Sequence, residues 1–240
     1  MNVYTAHGIS DLIKGNPYVG RGIIIGKSED GNSAVVAYFI MGRSANSRNR
    51  VFVKRCGDVF TEPFDESKVV DPSLIIYRAV TQSDNRLIVT NGDHTDTIFD
   101  GLKSGKSFAE ALKTRKFEPD APNFTPRISG IVNFTNGDFD YEMSILKSAD
   151  EKGSACDRFT FSYSPIAGAG HFIHTYITDG DPLPTFVGEP ERVKIPNDIK
   201  SFAEEIWNAL DGENKISLFV RFIDLKTGKQ DDILINKNGK

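Results

Sequence analysis

The sequence of 240 residues contains only two cysteines, Cys56 and Cys156. Two cysteines cannot build the disulfide framework that stabilises many small secreted domains, and their pairing cannot be read from the sequence. We therefore expect both thiols to be reduced and structural.

Long apolar runs and a net positive charge are also missing. No run reaches the roughly 18 residues of a membrane-spanning helix. The first residues lack the basic segment and apolar core of a signal peptide. These absences predict a cytoplasmic protein without a membrane partner. The net charge of −4 argues against a general nucleic-acid binder.

Basic residues nevertheless cluster in one stretch, which directly follows the apolar run 34–41. Between Arg43 and Gly57 the sequence has no acidic side chain and five basic ones: Arg43, Arg48, Arg50, Lys54 and Arg55. Guanidinium groups match phosphate and carboxylate oxygens in bidentate geometry. The cluster therefore favours an anion pocket, although charge runs are often only solvated surfaces.

Apolar runs separated by turn residues predict a fold rich in hairpins. Residues 22–26 and 33–41 flank Asp30-Gly31, a strong hairpin signal that brings Arg21 close to the basic cluster. About twelve strands follow from such runs, whereas 57–73 and 179–197 are predicted to be irregular. Apolar spacing predicts a helix from Ile199 to Leu210, which Asn197 or Asp198 can cap. Ser107 and Glu110 fit a capping box at the start of a short helix, and residues 73–80 are predicted to form a strand. We expect one α+β domain, residues 1–240, with mainly antiparallel sheets and helices outside them.

Motifs for cofactors are absent. Asp93, His94 and Asp96 match no strong metal-ligand spacing, and Gly105-Lys106 lacks the earlier glycine of a phosphate loop, since position 100 is an aspartate. We therefore predict no metal and no cofactor. A helical turn is predicted only from Ile98 onward.

Single polar residues carry weak signals by themselves. Ser44, His94 and Asp96 could be drawn as a triad, but nothing around Ser44 resembles a nucleophile turn. Spacing alone favours a core-edge tyrosine at Tyr77, a surface glutamate at Glu118 and a strand-start arginine at Arg127.

Four runs considered together resemble the archaeal-type inosine monophosphate (IMP) cyclohydrolase family. In chain order they are 18–22, 42–48, 91–98 and 125–128, and the run Asn-Gly-Asp-His-Thr-Asp-Thr-Ile at 91–98 is the most specific. The resemblance covers roughly residues 16–136. It implies a four-layer αββα sandwich like that of N-terminal nucleophile hydrolases, without a processed nucleophile.

The resemblance also implies a reaction, the last step of de novo purine biosynthesis. A formamidoimidazole-carboxamide ribonucleotide (FAICAR) closes its second ring and loses water to give IMP, without a cofactor. The family's catalytic residues correspond to Arg48, Tyr77 and Glu118. Arg48 and Tyr77 would act on the formyl oxygen, and Glu118 on the carboxamide. The implied substrate contacts are Arg21, Arg43, Ser44, Asn46, Asn91, His94, Asp96, Thr97 and Arg127.

Other functions stay open at this point. A non-catalytic purine nucleotide-binding protein would use the same pocket, and an amidohydrolase on this fold would need a processed N-terminal nucleophile. An RNA-binding protein is disfavoured because the basic cluster lacks interleaved aromatics. The expected partner is a purine ribonucleoside monophosphate rather than nucleic acid, and a homo-oligomer is compatible with the sequence.

Overall fold

The computed structural model describes residues 4–69 and 76–239 as an α+β fold with two antiparallel sheets and few helices. The helices are α1 (Ile9–Ile13), α2 (Ala45–Arg48), α3 (His94–Lys103), α4 (Phe108–Leu112) and α5 (Ile199–Ala209). The first sheet contains β1 (Arg21–Lys27), β2 (Ser33–Met41), β10 (Ala169–His174), β11 (Glu191–Lys194), β12 (Lys215–Asp224) and β13 (Gln230–Asn236). The second contains β3 (Arg50–Arg55), β4 (Asp58–Pro63), β5 (Tyr77–Ser83), β6 (Arg86–Thr90), β7 (Arg127–Thr135), β8 (Asp138–Ser148) and β9 (Cys156–Tyr163).

The strand orders are β11-β10-β1-β2-β12-β13 and β3-β4-β5-β6-β7-β8-β9. Every pairing between neighbouring strands is antiparallel. The predicted first hairpin is confirmed, with Arg21 opposite Ile40. Gly31 has a φ of +75° in its turn, a conformation that glycine adopts without strain.

The main core lies between the sheets. Ile23 and Tyr38 from the first sheet share this cluster with Val89 and Ile128 from the second. Strand β2 is buried on both faces, because α1 and α5 cover its outer side. This double burial explains why its sequence is a continuous apolar run rather than an alternating one.

Helices cover the outer face of each sheet. Phe202 and Ile206 of α5 pack in a cluster with residues of the first sheet, and Asp198 caps this predicted helix by accepting a hydrogen bond from Ser201 N at 2.7 Å. Ile98 and Phe108 of α3 and α4 pack against the second sheet. The predicted capping box of Ser107 and Glu110 is present at the start of α4.

Three predictions about local structure are wrong. Residues 58–63 form β4 rather than a loop, with a side-chain burial that alternates along the strand, a pattern hidden by the acids around it. The irregular stretch 179–197 contains β11. Helix α3 begins at His94, four residues before the predicted turn, because buried polar side chains replace the usual apolar periodicity. The predicted strand residues 73–75 lie outside the described residues.

One end of the sandwich collects the candidate site residues. Because neighbouring strands are antiparallel, β3, β5 and β7 begin at the same edge of the second sheet. Their first residues are Arg50, Tyr77 and Arg127. Arg21 begins β1, and Tyr77 lies close enough to contribute to the raised pKa of Arg21. The topology thus groups three arginines and a tyrosine at one end.

In the described part of the chain, no helix is long and apolar enough to cross a membrane. Cys56 and Cys156 are both free thiols, as expected.

Candidate functional site

A cavity of about 390 Å³ opens at this end of the sandwich. Three of its lining residues are predicted substrate contacts: Arg21, Arg43 and Ser44. The others are Tyr18, Ser47, Asp120, Asn123, Thr125, Tyr176 and Leu183.

Arg21 is the cavity's least compensated cation. Its Nε is fully buried without a hydrogen-bond partner, and its guanidinium forms no ion pair with any described residue. Burial by itself would lower the pKa of Arg21, but Tyr18, Glu118 and Tyr176 raise it. The guanidinium therefore stays charged and has donors available for a ligand.

Glu118 provides a buried carboxylate beside this cation. Only 5% of the residue is exposed, and no described residue donates a hydrogen bond to its carboxylate. Burial raises the pKa of Glu118, and the charges of Arg21 and Arg127 partly oppose that rise. A carboxyl group with a raised pKa near a cavity suits general acid–base chemistry.

Gly92 has no side chain and so leaves room for Arg127, His94 and Glu118 to lie close together. A Cβ at this position would lie 2.5 Å from Arg127 Nη1, 3.3 Å from His94 Nδ1 and 3.6 Å from Glu118 Oε1. A larger residue would therefore push Arg127 away from its neighbours.

Tyr77 lies behind the cavity and is also only 5% exposed. Its hydroxyl is 2.9 Å from that of Tyr38 on β2, so the hydrogen bond crosses from one sheet to the other. Tyr77 and Arg21 influence each other electrostatically, which brings the phenol into the same charged group.

Arg50 is a second buried cation in this group. Its Nε donates to Ser47 O at 2.7 Å and its Nη2 to Met41 O at 3.2 Å, and no described carboxylate pairs with it. Burial and the charge of Arg21 lower the pKa of Arg50, whereas Tyr77 opposes this effect. Sequence reasoning ranked Arg50 below Arg48, because burial at a strand start has no local signature.

Arg48 faces a different part of the surface. Its Nε donates to Gly42 O at 3.0 Å, and its Nη2 donates to Asn214 Oδ1 at 2.8 Å. The residue is exposed and lines a separate cavity of about 80 Å³ with Lys215 and Lys237. The structure thus does not bring Arg48 together with Tyr77 and Glu118.

His94 and Arg127 form a buried pair beneath the cavity. Burial lowers the pKa of His94 to about 3, so the ring is neutral near pH 7. Arg127 Nη1 donates to His94 Nδ1 at 3.3 Å, and Nε2 then donates to Ile128 O at 3.2 Å. Arg127 also donates to Lys116 O at 3.0 Å and pairs with Asp93 at 2.8 Å. These contacts fix Arg127 beside the segment that carries Glu118.

Both polar atoms of the Asn91 side chain form hydrogen bonds with the backbone. It donates to Pro126 O and accepts from Ile128 N, both at 2.9 Å. These bonds hold the start of β7, so Asn91 supports the site rather than facing the cavity.

The basic loop forms the mouth of the cavity. Arg43 pairs with Asp179, donates to Gly180 O at 2.8 Å and lies 5.3 Å from the centre of the Tyr18 ring. Ser44 caps α2 by accepting from Ser47 N at 3.1 Å. Asn46 has a buried Oδ1 without a partner.

Two predicted contacts lie away from the cavity lining. Asp96 is exposed on α3 and pairs with Arg78. Thr97 follows it on the same helix and does not line the described cavity.

A polar wall opposite the basic loop was missed by sequence reasoning. Thr125 Oγ1 donates to Asp120, and Tyr176 lies 2.5 Å from the same hydroxyl. Tyr176 stacks with Tyr18 at 5.8 Å between ring centres. Tyr176 follows β10, 51 residues after Thr125, so only the tertiary fold brings them together.

The arrangement combines donors for an anion at the mouth with a carboxyl and a phenol farther in. It can therefore bind an anionic molecule and move protons on it. Among the described residues, no group of three or more His, Cys, Asp or Glu side chains is placed to hold a metal ion.

Comparison with known proteins connects this geometry to a family. The family model described as IMP cyclohydrolase-like protein matches residues 18–229. A protein named IMP cyclohydrolase from Methanothrix thermoacetophila is 36% identical over 120 residues, covering 48% of this chain and 58% of that protein. One from Methanopyrus kandleri is 38% identical over 120 residues, covering 48% and 59%. One from Methanococcus maripaludis strain C7 is 32% identical over 146 residues, covering 58% and 71%.

The matches to the Methanothrix and Methanopyrus proteins thus span less than two thirds of their lengths. The family model, in contrast, covers every strand of both sheets except β13, from the residues before β1 to the turn before β13. It includes every residue that lines the cavity and the buried charges beneath it. On this match, the chain belongs to the IMP cyclohydrolase-like protein family.

Proposed function

We propose that this protein is an IMP cyclohydrolase that closes the second ring of FAICAR to give IMP and water. The observation that carries the proposal is the pair of Arg21 and Glu118. The two groups interact electrostatically, and Arg21 Nε is buried without a hydrogen-bond partner among the described residues. Such groups are costly to fold unless a ligand uses them.

The substrate's two ends fit two parts of the site. At the mouth, Arg43, Ser44 and Ser47 supply donors for the dianionic phosphate. Farther in, Arg21, Tyr77 and Glu118 surround the reacting formyl and carboxamide groups. In this proposal, the aromatic wall of Tyr18 and Tyr176 packs against the ribonucleotide between these ends.

Ring closure requires balanced proton transfers. The carboxamide nitrogen bonds to the formyl carbon, and the formyl oxygen leaves as water. The two hydrogens of that water equal the one lost from the carboxamide nitrogen and the one lost from the formamide nitrogen. Glu118 accepts the carboxamide proton, and Tyr77 donates a proton to the formyl oxygen, which becomes a hydroxyl group. A second proton from solvent lets that hydroxyl leave as water, and the formamide nitrogen releases its proton to solvent. Glu118 then returns its proton to Tyr77, which restores both residues.

Fixed positive charge lowers the barrier of the same step. Arg21 stabilises the negative charge that develops on the formyl oxygen as the nitrogen attacks. The raised pKa of Glu118 makes it a better base than an ordinary carboxylate once it is ionised. Holding the two reacting groups in contact supplies a further large part of the rate.

A catalytic role for Arg48 stays a prediction from the resemblance. To reach the reacting groups, its guanidinium would have to leave Gly42 and Asn214. The arrangement of buried charges favours Arg50 instead. We expect Arg50→Lys to reduce kcat about 10-fold or more and Arg48→Lys to change it less than threefold. A larger loss for Arg48→Lys would favour the assignment by resemblance.

The finer structural assignment is also proposed. Helices α1 and α5 outside one sheet and α3 and α4 outside the other support an αββα sandwich of the N-terminal nucleophile hydrolase type. The cluster shared by the sheets supports one domain. A cytoplasmic location and the oligomeric state stay predictions.

The test is to mix the purified chain with FAICAR in buffer containing a chelator and to follow the absorbance change of ring closure. We expect a rate far above that in buffer alone. A chain that binds IMP without turning over FAICAR would be a nucleotide-binding protein. Loss of the first residues with hydrolysis of an amide substrate would favour the amidohydrolase alternative.

A further inference from the structure

Tyr38 is a buried residue of β2 that faces the second sheet. It is fully buried, and its ring stacks on Phe52 with 5.3 Å between ring centres. Its hydroxyl has one hydrogen-bond partner in the described structure, the hydroxyl of Tyr77 at 2.9 Å. Nothing in the sequence patterns or the family resemblance distinguishes Tyr38 from the apolar run around it.

Either hydroxyl of this pair could donate, and the environment of Tyr38 favours Tyr38 as the donor. Burial raises the pKa of Tyr38 well above its ordinary value, so the group stays protonated. The charged groups that act on the two phenols are Arg21 from β1 and Arg50 from β3. Neither arginine is an acceptor, so Tyr38 has only the Tyr77 oxygen to which it can donate.

This direction leaves the Tyr77 proton available. A phenol donates one hydrogen, and Tyr77 makes no other hydrogen bond through its hydroxyl among the described residues. Tyr77 is 5% exposed, and it lies close enough to Arg21, which lines the cavity, to raise the pKa of that arginine. When Tyr77 releases its proton, the phenolate oxygen keeps a donor from Tyr38 and lies near two guanidinium groups.

We propose that Tyr38 is a positioning residue for ring closure, which donates to Tyr77 Oη and so directs the Tyr77 proton toward the departing formyl oxygen. This inference rests on the proposed function. In the step, the Tyr77 O–H bond breaks and an O–H bond to the formyl oxygen forms. Tyr77 Oη carries the negative charge until it regains a proton from solvent or from Glu118.

The test uses Tyr38→Phe, which removes one hydroxyl and keeps the ring. The matched control is Tyr141→Phe. Tyr141 is a buried tyrosine of the same interior cluster, and its hydroxyl is 2.6 Å from His171 Nδ1, away from the cavity lining. Both variants lose one buried hydrogen bond, so their melting temperatures should fall by similar amounts.

We expect Tyr38→Phe to lower kcat about 10-fold with KM within about twofold, the loss that one hydrogen bond to a developing charge gives. The alkaline limb of its kcat–pH profile should move to higher pH, because the phenolate loses its donor. Tyr141→Phe should leave kcat and the profile unchanged. In a Tyr77→Phe background, adding Tyr38→Phe should have no further effect on kcat.

The experiment distinguishes failure of the role of Tyr38 from failure of the proposed function. If the wild-type chain closes the ring and Tyr38→Phe matches Tyr141→Phe in kcat and pH profile, the role of Tyr38 is overturned and the proposed function stands. If the wild-type chain does not accelerate ring closure, the proposed function fails and the role of Tyr38 fails with it. Should Tyr38→Phe alone fail to fold, the double variant Tyr38→Phe/Tyr77→Phe removes both hydroxyls and leaves neither one unpaired; a kcat below that of Tyr77→Phe would overturn the proposal.

Discussion

Two arginines, the partly buried Arg21 at the cavity and the fully buried Arg221 on β12, differ in how the protein compensates their charge. Arg221 on β12 is fully buried and donates through Nε and Nη2 to both oxygens of Asp232, each at 2.8 Å. Its Nη2 also donates to Gly57 O at 2.9 Å, and only Nη1 lacks a partner. Arg21 has no ion pair at all within the described protein.

The two regions also differ in their carboxyl groups. Burial would raise the pKa of Asp232, but hydrogen bonds and charge from Arg221 and Lys54 bring it below its ordinary value. Burial raises the pKa of Glu118, and its cationic neighbours do not overcome that rise. The ionised pair therefore stabilises the β12–β13 region. At the cavity end, in contrast, the described residues form no ion pair with Arg21 and no hydrogen bond to the Glu118 carboxylate. The difference separates a structural ion pair from groups set aside for a ligand.

The largest expected effect is on catalysis at the cavity end. Glu118→Gln removes the proposed base and keeps the size of the side chain. We expect kcat for ring closure to fall about 10³-fold, within the usual range for a general base. Steady-state kinetics with FAICAR would measure it, and a change below threefold would remove Glu118 from the mechanism.

The same variant should be more stable than the wild type at pH 7. Because the pKa of Glu118 is higher in the folded than in the unfolded protein, ionisation of this carboxyl group favours unfolding. The protonated carboxyl group therefore contributes to stability at low pH. That contribution is lost as pH rises from the ordinary value of 4.5 through the folded-state pKa. Denaturant titrations at several pH values would show this. A less stable Glu118→Gln at pH 7 would contradict the contrast between the two regions.

The second effect is on stability in the β12–β13 region. Asp232→Asn leaves the charge of Arg221 without its counter-charge, and we expect the free energy of unfolding to fall by about 3 kcal/mol. The pKa of Asp232 is lowered, so the contribution of the pair should be present above 3.8 and lost as pH falls through the folded-state pKa. Activity per folded molecule should be unchanged. A loss of kcat with no loss of stability would reverse the assignment of the two regions.

A smaller effect is expected at the mouth of the cavity. Asp179 pairs with Arg43 and so competes with an anionic ligand for the same guanidinium. Because the pair is partly exposed, Asp179→Asn should lower KM for FAICAR only about threefold, with kcat unchanged. Asp65→Asn, which removes a partly exposed carboxylate paired with Lys68, is the control. An unchanged or raised KM in Asp179→Asn would show that the pair does not restrain Arg43.

Local sequence signals predicted much of the fold. The Asp30-Gly31 hairpin, the capping box at Ser107 and the helix after Asp198 each depend on neighbouring residues, and each is confirmed. Strand β4 was missed because its burial arises from pairing with β3 and β5 rather than from its own apolar content.

The candidate site was predictable only in part. Arg21 and the basic loop converge because the hairpin brings its ends together, as the sequence predicted. The positions of Tyr176 and Arg50 depend on tertiary packing, which leaves no pattern in nearby residues. Arg48 was singled out by motif, but the cap of α2 directs its side chain toward Asn214. The roles of all these residues remain predictions.

In the proposed function, Arg21 has no ion pair because a ring-closing substrate uses its guanidinium. The most direct test is the kcat of Arg21→Met for FAICAR, compared with the wild type at saturating substrate. We expect kcat per folded molecule to fall about 10²-fold, because the developing charge on the formyl oxygen loses the cation that stabilises it. A kcat within about twofold of the wild type, or a loss explained entirely by unfolding, would contradict it.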